Sequence, residues 1–417
     1  MKEARRLQTI PQERPLPAGW CCVRLAEVSK FVHGGTPSKA EPAYWRGEIP
    51  WVSPKDMRSR TISDTQDHIS AEAVKNSSTS VVPEGTILTV VRSGILARAF
   101  PIAVTGRAVA FNQDIKAILP DHSKVDVQFL CWCLMSQEPY VLANGIKKGA
   151  TVHSIRSGFI ESLAISFPPL PDQRRIAEVL NEQIAAVERA HAAAQVRLEA
   201  AKALPAAYLR AIFTSSEVQH WPRRRLGDVC RLLPSKSIAS DGDTEVLAIT
   251  TAALTETGFQ LSGVKVARMW AADALECVVS PGEILVARSN TPELVGRAAM
   301  FLGDPLGAVA SDLTIRIAAG EHVVPGFVTA FLSFLYLTGY WKERAGGASG
   351  SMKKITRTQI EEQPLPVPPV NEQGRVAAIL EGQIAAVGRT WKAVEAELAA
   401  IDALPGAILR RAFSGEF

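Results

Sequence analysis

Residues 173–213 return at residues 373–413 with no gap and a constant offset of 200. Gln173, Arg175, Ala177, Leu180, the run Gln183 to Val187, Arg189, Leu198, Ala200, Leu204-Pro205, Leu209-Arg210 and Phe213 recur. Their partners are Gln373, Arg375, Ala377, Leu380, Gln383 to Val387, Arg389, Leu398, Ala400, Leu404-Pro405, Leu409-Arg410 and Phe413. Chance does not hold register over so long a run; duplication does. The chain therefore reads as globule, helix, globule, helix, with boundaries at 1–167, 168–214, 215–365 and 366–417. A period of this length excludes a solenoid. It predicts an α+β protein with a pseudo-twofold: two similar mixed α/β domains separated by two long helices packed as an antiparallel coiled coil.

Each repeat follows a proline-rich stop, Phe167-Pro168-Pro169-Leu170-Pro171 or Pro364 to Pro369. Such prolines end one element and aim the next. Asp172 and Asn371 are the expected N-caps. Beyond them the apolar spacing alternates four and three: Leu180, Ile184, Val187, His191, Ala194, Leu198 and Ala201, then Leu380, Ile384, Val387, Trp391, Val394, Leu398 and Ile401. That is a heptad seam. Leu204-Pro205 and Leu404-Pro405 are expected to break the helices. A helix from about Ile176 to Ala203 is roughly 42 Å long at ~1.5 Å per residue, close to the ~34–36 Å of one turn of B-DNA. A protein clamp has use for the same rod.

With 47% apolar and 21% charged residues the chain is an ordinary globular one. Its first fifteen residues lack an apolar core, which predicts no secretory signal. The longest apolar stretch, Phe327 to Trp341, is broken by Ser333, Thr338 and Gly339 and suits a buried helix better than a membrane span. Six cysteines without C-x-x-C or His spacing read as free thiols in a reducing cytoplasm, not as a zinc site. Net charge is +4, and residues 217–362 hold 15 Lys/Arg against 16 Asp/Glu. Charge alone makes no case for nucleic acid.

The globules repeat more faintly. Trp20-x4-Leu25-x2-Val28 is matched by Trp221-x4-Leu226-x2-Val229. The turn-to-strand Pro83 to Leu88 is matched by Pro281 to Leu285. Strand tips Arg92-Ser93-Gly94 and Arg288-Ser289-Asn290 correspond, as do Gln113-Asp114-Ile115 and Ser311-Asp312-Leu313. Residues 31–60 show no counterpart after Arg231.

Several runs carry a specific resemblance. They are Gly34-Gly35-Thr36-Pro37-Ser38, Tyr44-Trp45-x-Gly47-x-Ile49-Pro50-Trp51-Val52-Ser53-Pro54-Lys55-Asp56-Met57, Pro168-Pro169-x-x-Asp172-Gln173-x-x-Ile176, and Leu404-Pro405-x3-Leu409-x3-Phe413-Ser414-Gly415-Glu416. Together they resemble the specificity subunit of type I restriction-modification systems, over essentially the whole chain. The resemblance implies two target-recognition domains reading a split double-stranded DNA sequence. It also implies helices that dock two methyltransferase subunits and, through the complex, restriction subunits. The methyl donor S-adenosylmethionine would then sit in the partner, and this chain would hold no cofactor. The second globule lacks the Gly-Gly-Thr-Pro and Tyr-Trp segments.

The residues themselves offer no enzyme signature: no Asn/Asp-Pro-Pro-Tyr, phosphate-binding loop, G-x-S-x-G or H-E-x-x-H, and no metal spacing among the seven histidines. Bases are told apart by Arg or Lys on guanine and Asn or Gln on adenine. The DNA-contact candidates are accordingly Thr36, Tyr44, Lys55, Arg58, Arg92 and Ser93 in the first globule and Arg288, Ser289 and Asn290 in the second. The Gly-flanked pairs Lys147-Lys148 and Lys353-Lys354 suit phosphate contact. The competing reading is a coiled-coil scaffold with two protein-binding domains.

Overall fold

The computed structural model of the chain describes residues 19–349 and 351–414. The N-terminal fifteen residues, Gly415 and Glu416 lie outside that range.

Each repeat forms one helix of 44 residues, Leu170–Phe213 and Val370–Phe413. This is about 66 Å at ~1.5 Å per residue, half as long again as the spacing predicts. Both ends differ from expectation for identifiable reasons. Asp172 and Asn371 are not caps, because the backbone N–H groups of Gln173 and Gln373 already reach the carbonyls of Pro169 and Pro369. Asp172 instead lies in the first turn, where its charge complements the helix dipole. Pro205 and Pro405 are inside the helices and do not break them. A proline deletes a single i to i−4 bond. Beyond each proline, Leu209 with Phe213, or Leu409 with Ala412, is buried in a domain core and holds the last turns in place.

The chain divides into two compact units, one comprising residues up to Ala192 together with Ala399 onward, the other Ala193–Leu398. In the first unit, Ile176, Ala177, Leu180 and Ile184 of one helix share a core with Leu409 and Ala412 of the other. His191 Nε2 lies 3.4 Å from Asp402. In the second, Leu209 and Phe213 share a core with Val376 and Leu380, and Arg197 bonds Glu397 at 2.6 Å. Within each unit the two helical segments thus run antiparallel. Of the seam residues, Leu180, Ile184, Ala194, Leu198, Ala201, Leu380, Val387, Val394 and Ile401 are buried and the rest are half-buried.

The α/β parts of the two units share one plan. In the first, a five-stranded sheet runs Ser29–His33, Ile115–Pro120, Ile87–Val90, Ile102–Thr105, Thr61–Ile62. A second sheet runs Asp67–Ile69, Ile49–Val52, Val109–Phe111, Ser80–Val82. In the other unit the sheets run Cys230–Leu233, Thr314–Ala319, Ile284–Ala287, Ala298–Met300 and Val264–Met269, Thr244–Ile249, Val309–Ala310. The segment after Arg231 does therefore have a counterpart in residues 31–60. Trp51 lies parallel to Ala110 just as Ala248 lies parallel to Val309. Composition diverged while pairing stayed, so the correspondence is invisible in the text of the sequence.

One duplicated side chain joins helix to domain in both units. Gln173 is fully buried; its oxygen accepts from the Asp126 N–H at 2.8 Å and its nitrogen donates to Lys124 and Pro168 carbonyls. Gln373 makes the same three bonds to Val324, His322 and Pro368. All the amide's geometry is used to clamp the helix start against the start of Val127–Ser136 or Pro325–Leu337. The latter helix accounts for most of the long apolar stretch, and it ends before Tyr340–Arg344.

Candidate nucleic-acid interface

In the first unit, four strands finish at one edge: Ser29–His33, Ile49–Val52, Ile87–Val90 and Val109–Phe111. The loop after Phe111 ties them. Gly35 N–H donates to Phe111 O at 3.0 Å, Asn112 N–H to Val52 O at 2.9 Å, and Val91 N–H to Asp114 O at 2.8 Å. The Gly-Gly-Thr-Pro run exists for this approach. A Cβ on Gly34 would stand 2.3 Å from the Phe111 carbonyl oxygen, and one on Gly35 2.3 Å from Ser78 Oγ.

Most first-unit candidates collect at this edge. Thr36 Oγ1 donates to Gln113 Oε1 at 2.6 Å. Lys55 follows the Trp51 strand and bonds Asp67 at 2.7 Å; that hydrogen bond raises its pKa above the ordinary lysine value. Arg58 is exposed. A small sheet of Ile146–Lys147, His153–Ile155 and Arg92–Ser93 brings the strand tip and the first lysine pair together. In its register Arg92 and Lys147 both face Ser154, and Ser93 faces His153. Arg92, Lys147 and Lys148 are exposed. Ser93 also caps the turn that follows, accepting from Ile95 N–H. Tyr44 sits elsewhere: half-buried, it packs with Trp45 and Ile49 on the cluster of Trp51, Ile69, Ala73 and Ala110.

The second unit repeats the edge. Asp312 N–H donates to Lys236 O at 3.0 Å, and Arg288 N–H to Leu313 O at 2.8 Å. Asn290 Nδ2 bonds Thr251 Oγ1 at 3.1 Å, and Ser289–Asn290 pairs with Met352–Lys354 in another small sheet.

The register corrects the sequence alignment of the strand tips by one residue. Ile155 N–H bonds Val91 O, while Ile355 N–H bonds Arg288 O. Arg288 is hence the counterpart of Val91, and Arg92 that of Ser289. Likewise Asp114 answers Leu313, not Asp312. A one-residue step turns a strand side chain to the other face. Arg288 is half-buried, donates to the Asp312 carbonyl at 3.3 Å, and keeps its Nε buried without a partner.

Corrected in this way, the two small sheets show an exchange. In the first unit Arg92 faces Ser154; in the second Ser289 faces Lys354. The next pair is Ser93 with His153 against Asn290 with Lys353. Each cross-strand pair keeps one basic residue and one small polar residue; in the first pair the basic residue changes strand, and in the second it stays on the equivalent strand. Sequence reading missed Gln113, His153, Lys236 and Thr251. Their one signal was a place just after a strand, or beside a marked lysine pair.

Among the described residues no cluster of three or more His, Cys, Asp or Glu is placed to hold a metal ion. No helix among them is long and apolar enough to cross a membrane. The two equivalent loop edges each carry cationic, amide and hydroxyl groups. Residues 17–196 match the type I restriction modification DNA specificity domain. The EcoR124I/EcoR124II specificity subunit of Escherichia coli is 38% identical over 159 residues, 38% of this chain and 39% of that one. The MjaIX specificity subunit of Methanocaldococcus jannaschii is 27% identical over 169 residues, 40% of this chain and 38% of the other. The chain thus spans well under half the length of these relatives in alignment. The fold is shared more widely. A chain solved in work on complex assembly and conformational transition of the type I R-M system has a TM-score of 0.74 at 17% identity, covering 97% of this chain and 100% of that one. The HsdS subunit from Thermoanaerobacter tengcongensis has a TM-score of 0.58 at 18% identity, covering 97% and 99%.

Proposed function

We propose that this chain is the non-catalytic sequence-specificity subunit of a type I restriction-modification complex. Each unit reads one half of a bipartite double-stranded DNA target through its loop edge. The paired helices dock two methyltransferase subunits, and restriction subunits join through that complex. The methyl donor S-adenosylmethionine binds in the methyltransferase, which performs the chemistry on adenine. This chain supplies the address.

The observation that carries the reading is the duplicated loop edge, in which a basic residue is kept at each cross-strand pair, on the opposite strand in the first pair and on the same strand in the second. Of the residues there, Arg92, Ser93, Ser289 and Asn290 have the chemistry to address base edges. Lys147, Lys148, Lys353 and Lys354 have the charge and exposure to address phosphates. Thr36, Lys55 and Arg58 flank the first set. Arg288 supports the loop carrying Asp312 and is not a reader.

The test is modified-base sequencing of DNA from cells expressing the methyltransferase with and without this chain. A split adenine-methylated motif that needs both proteins is the expected result. Unchanged methylation in the presence of a stable complex would overturn the proposal.

A further inference from the structure

Beside the first loop edge, and outside it, lies a cleft of about 480 Å³ lined by Lys39, Pro42, Trp45, Arg46, Trp51 and Asp67. Its walls are unusual in what they withhold. Trp45 and Trp51 meet edge to face, with centroids 5.0 Å apart. Both indole N–H groups are spent on backbone, Trp45 on Ser38 O and Trp51 on Gly35 O, each at 3.1 Å. The rings therefore present carbon surface and no donor. Asp67 is neutralised by Lys55. Lys39 and Arg46 are exposed, and neither side chain has a hydrogen-bond or ion-pair partner among the described residues. Two contacts tie the cleft's lining to the loop edge: Trp51 to the carbonyl of Gly35, which precedes Thr36, and Asp67 to Lys55.

An apolar wall whose indole N–H groups are already spent, flanked by two unpartnered cations, fits the outside of a duplex. There deoxyribose offers apolar surface and phosphate offers charge, neither of which reports sequence. Resting on the specificity reading above, we propose that this cleft takes a sugar-phosphate stretch of DNA flanking the half-site read by the first unit, Lys39 and Arg46 pairing with its phosphates. Among the described residues the second unit has no equivalent. Ala248 stands in the place of Trp51, and the neighbouring Leu247 and Val266 face each other at the surface, 39% and 64% exposed. The DNA footprint is therefore longer on the first half-site than on the second.

The experiment measures the affinity of the assembled methyltransferase complex for duplex carrying its own methylated motif, across a range of salt concentrations. Lys39→Ala with Arg46→Ala lowers the steepness of log K against log salt by about 1.8, the loss of two phosphate contacts. The methylated motif stays the same, and ethylation interference disappears only in the flank of the first half-site. Lys30→Ala, an exposed lysine on the Ser29–His33 strand outside the cleft, is the control and leaves the slope unchanged. An unchanged slope in the double variant overturns the inference, as does an equal fall in the control or an altered base in the motif. A wild-type complex that shows no preference for any motif sinks the specificity reading and this inference together.

Discussion

Arg92 faces Ser154 across a ladder in the first unit, and at the equivalent place in the second Ser289 faces Lys354. Duplication kept the place of the charge and let go of the residue that bears it. Beneath these surfaces the units differ in how they bury charge. The first buries Lys116 against Glu161, whose carboxylate is partly exposed. The second, at the position matching Ala117, buries Arg316 against Glu283, with both side chains under a tenth exposed. Arg316 also donates to the carbonyls of Pro234, Glu276 and Val278, drawing the turn after Leu233 and the end of the helix Ala271–Cys277 onto one strand. The comparison teaches that pairing topology and charge placement outlast side-chain identity in this molecule, and that internal stabilisation is local to each half.

The largest expected effect would break that comparison. Arg316→Ala leaves Glu283 buried without its partner and the three carbonyls unpaired, at a cost of about 3–5 kcal/mol, read by urea unfolding. The loss belongs to the second unit, so an equal loss of hydrogen-exchange protection in the first unit's strands would contradict local stabilisation. Next come Gln173→Ala and Gln373→Ala. Each orphans one N–H and two carbonyls, and each is expected to cost about 1–3 kcal/mol. Unequal costs would show that the clamps are duplicated in geometry and not in energy.

The strand exchange sharpens the comparison at the surface. Arg92→Ser is expected to weaken DNA binding by about 1–3 kcal/mol, and adding Ser154→Lys to recover part of it without restoring base preference. Arg288→Ala, in contrast, is expected to cost about 1 kcal/mol of stability and to leave DNA affinity within twofold. A strong fall in affinity with stability unchanged would return Arg288 to the readers.

The smallest effect concerns the thiols. Burial pushes Cys131 and Cys133 up to about 12 and Cys230 up to about 11, from an ordinary 9.0. A thiol reagent at pH 8 is expected to find Cys21, which is exposed, and to spare these three until the chain unfolds. The folded thiols stay protonated while unfolded ones ionise above 9.0. Their contribution to stability is therefore complete below that pH and is lost as pH climbs toward 12.

The sequence made the helices legible because a heptad stripe and a gap-free repeat are both one-dimensional signals. Leu180 and Leu380 could be placed in the seam without coordinates. What it hid was three-dimensional. Pro205 and Pro405 looked like stops because the buried residues beyond them, which override one missing hydrogen bond, were not visible as such. The sheet over Thr244–Ile249 carries no word of the Tyr44-Trp45 text, so its identity with Ile49–Val52 emerges only from pairing. The strand tips were recognised, yet the letters Arg-Ser suggested a register one residue away from the one the hydrogen bonds impose. Local identity misleads where a single step changes the face.

The central claim is that two equivalent edges each read one half of a split target. Its most direct measurement is modified-base sequencing with three forms of the chain beside its methyltransferase: wild type, Arg92→Ala with Lys147→Ala, and Ser289→Ala with Lys354→Ala. The account predicts one split motif for wild type, relaxed in one half by the first variant and in the other half by the second. Relaxation of both halves by either variant, or of neither half by both variants, would contradict it.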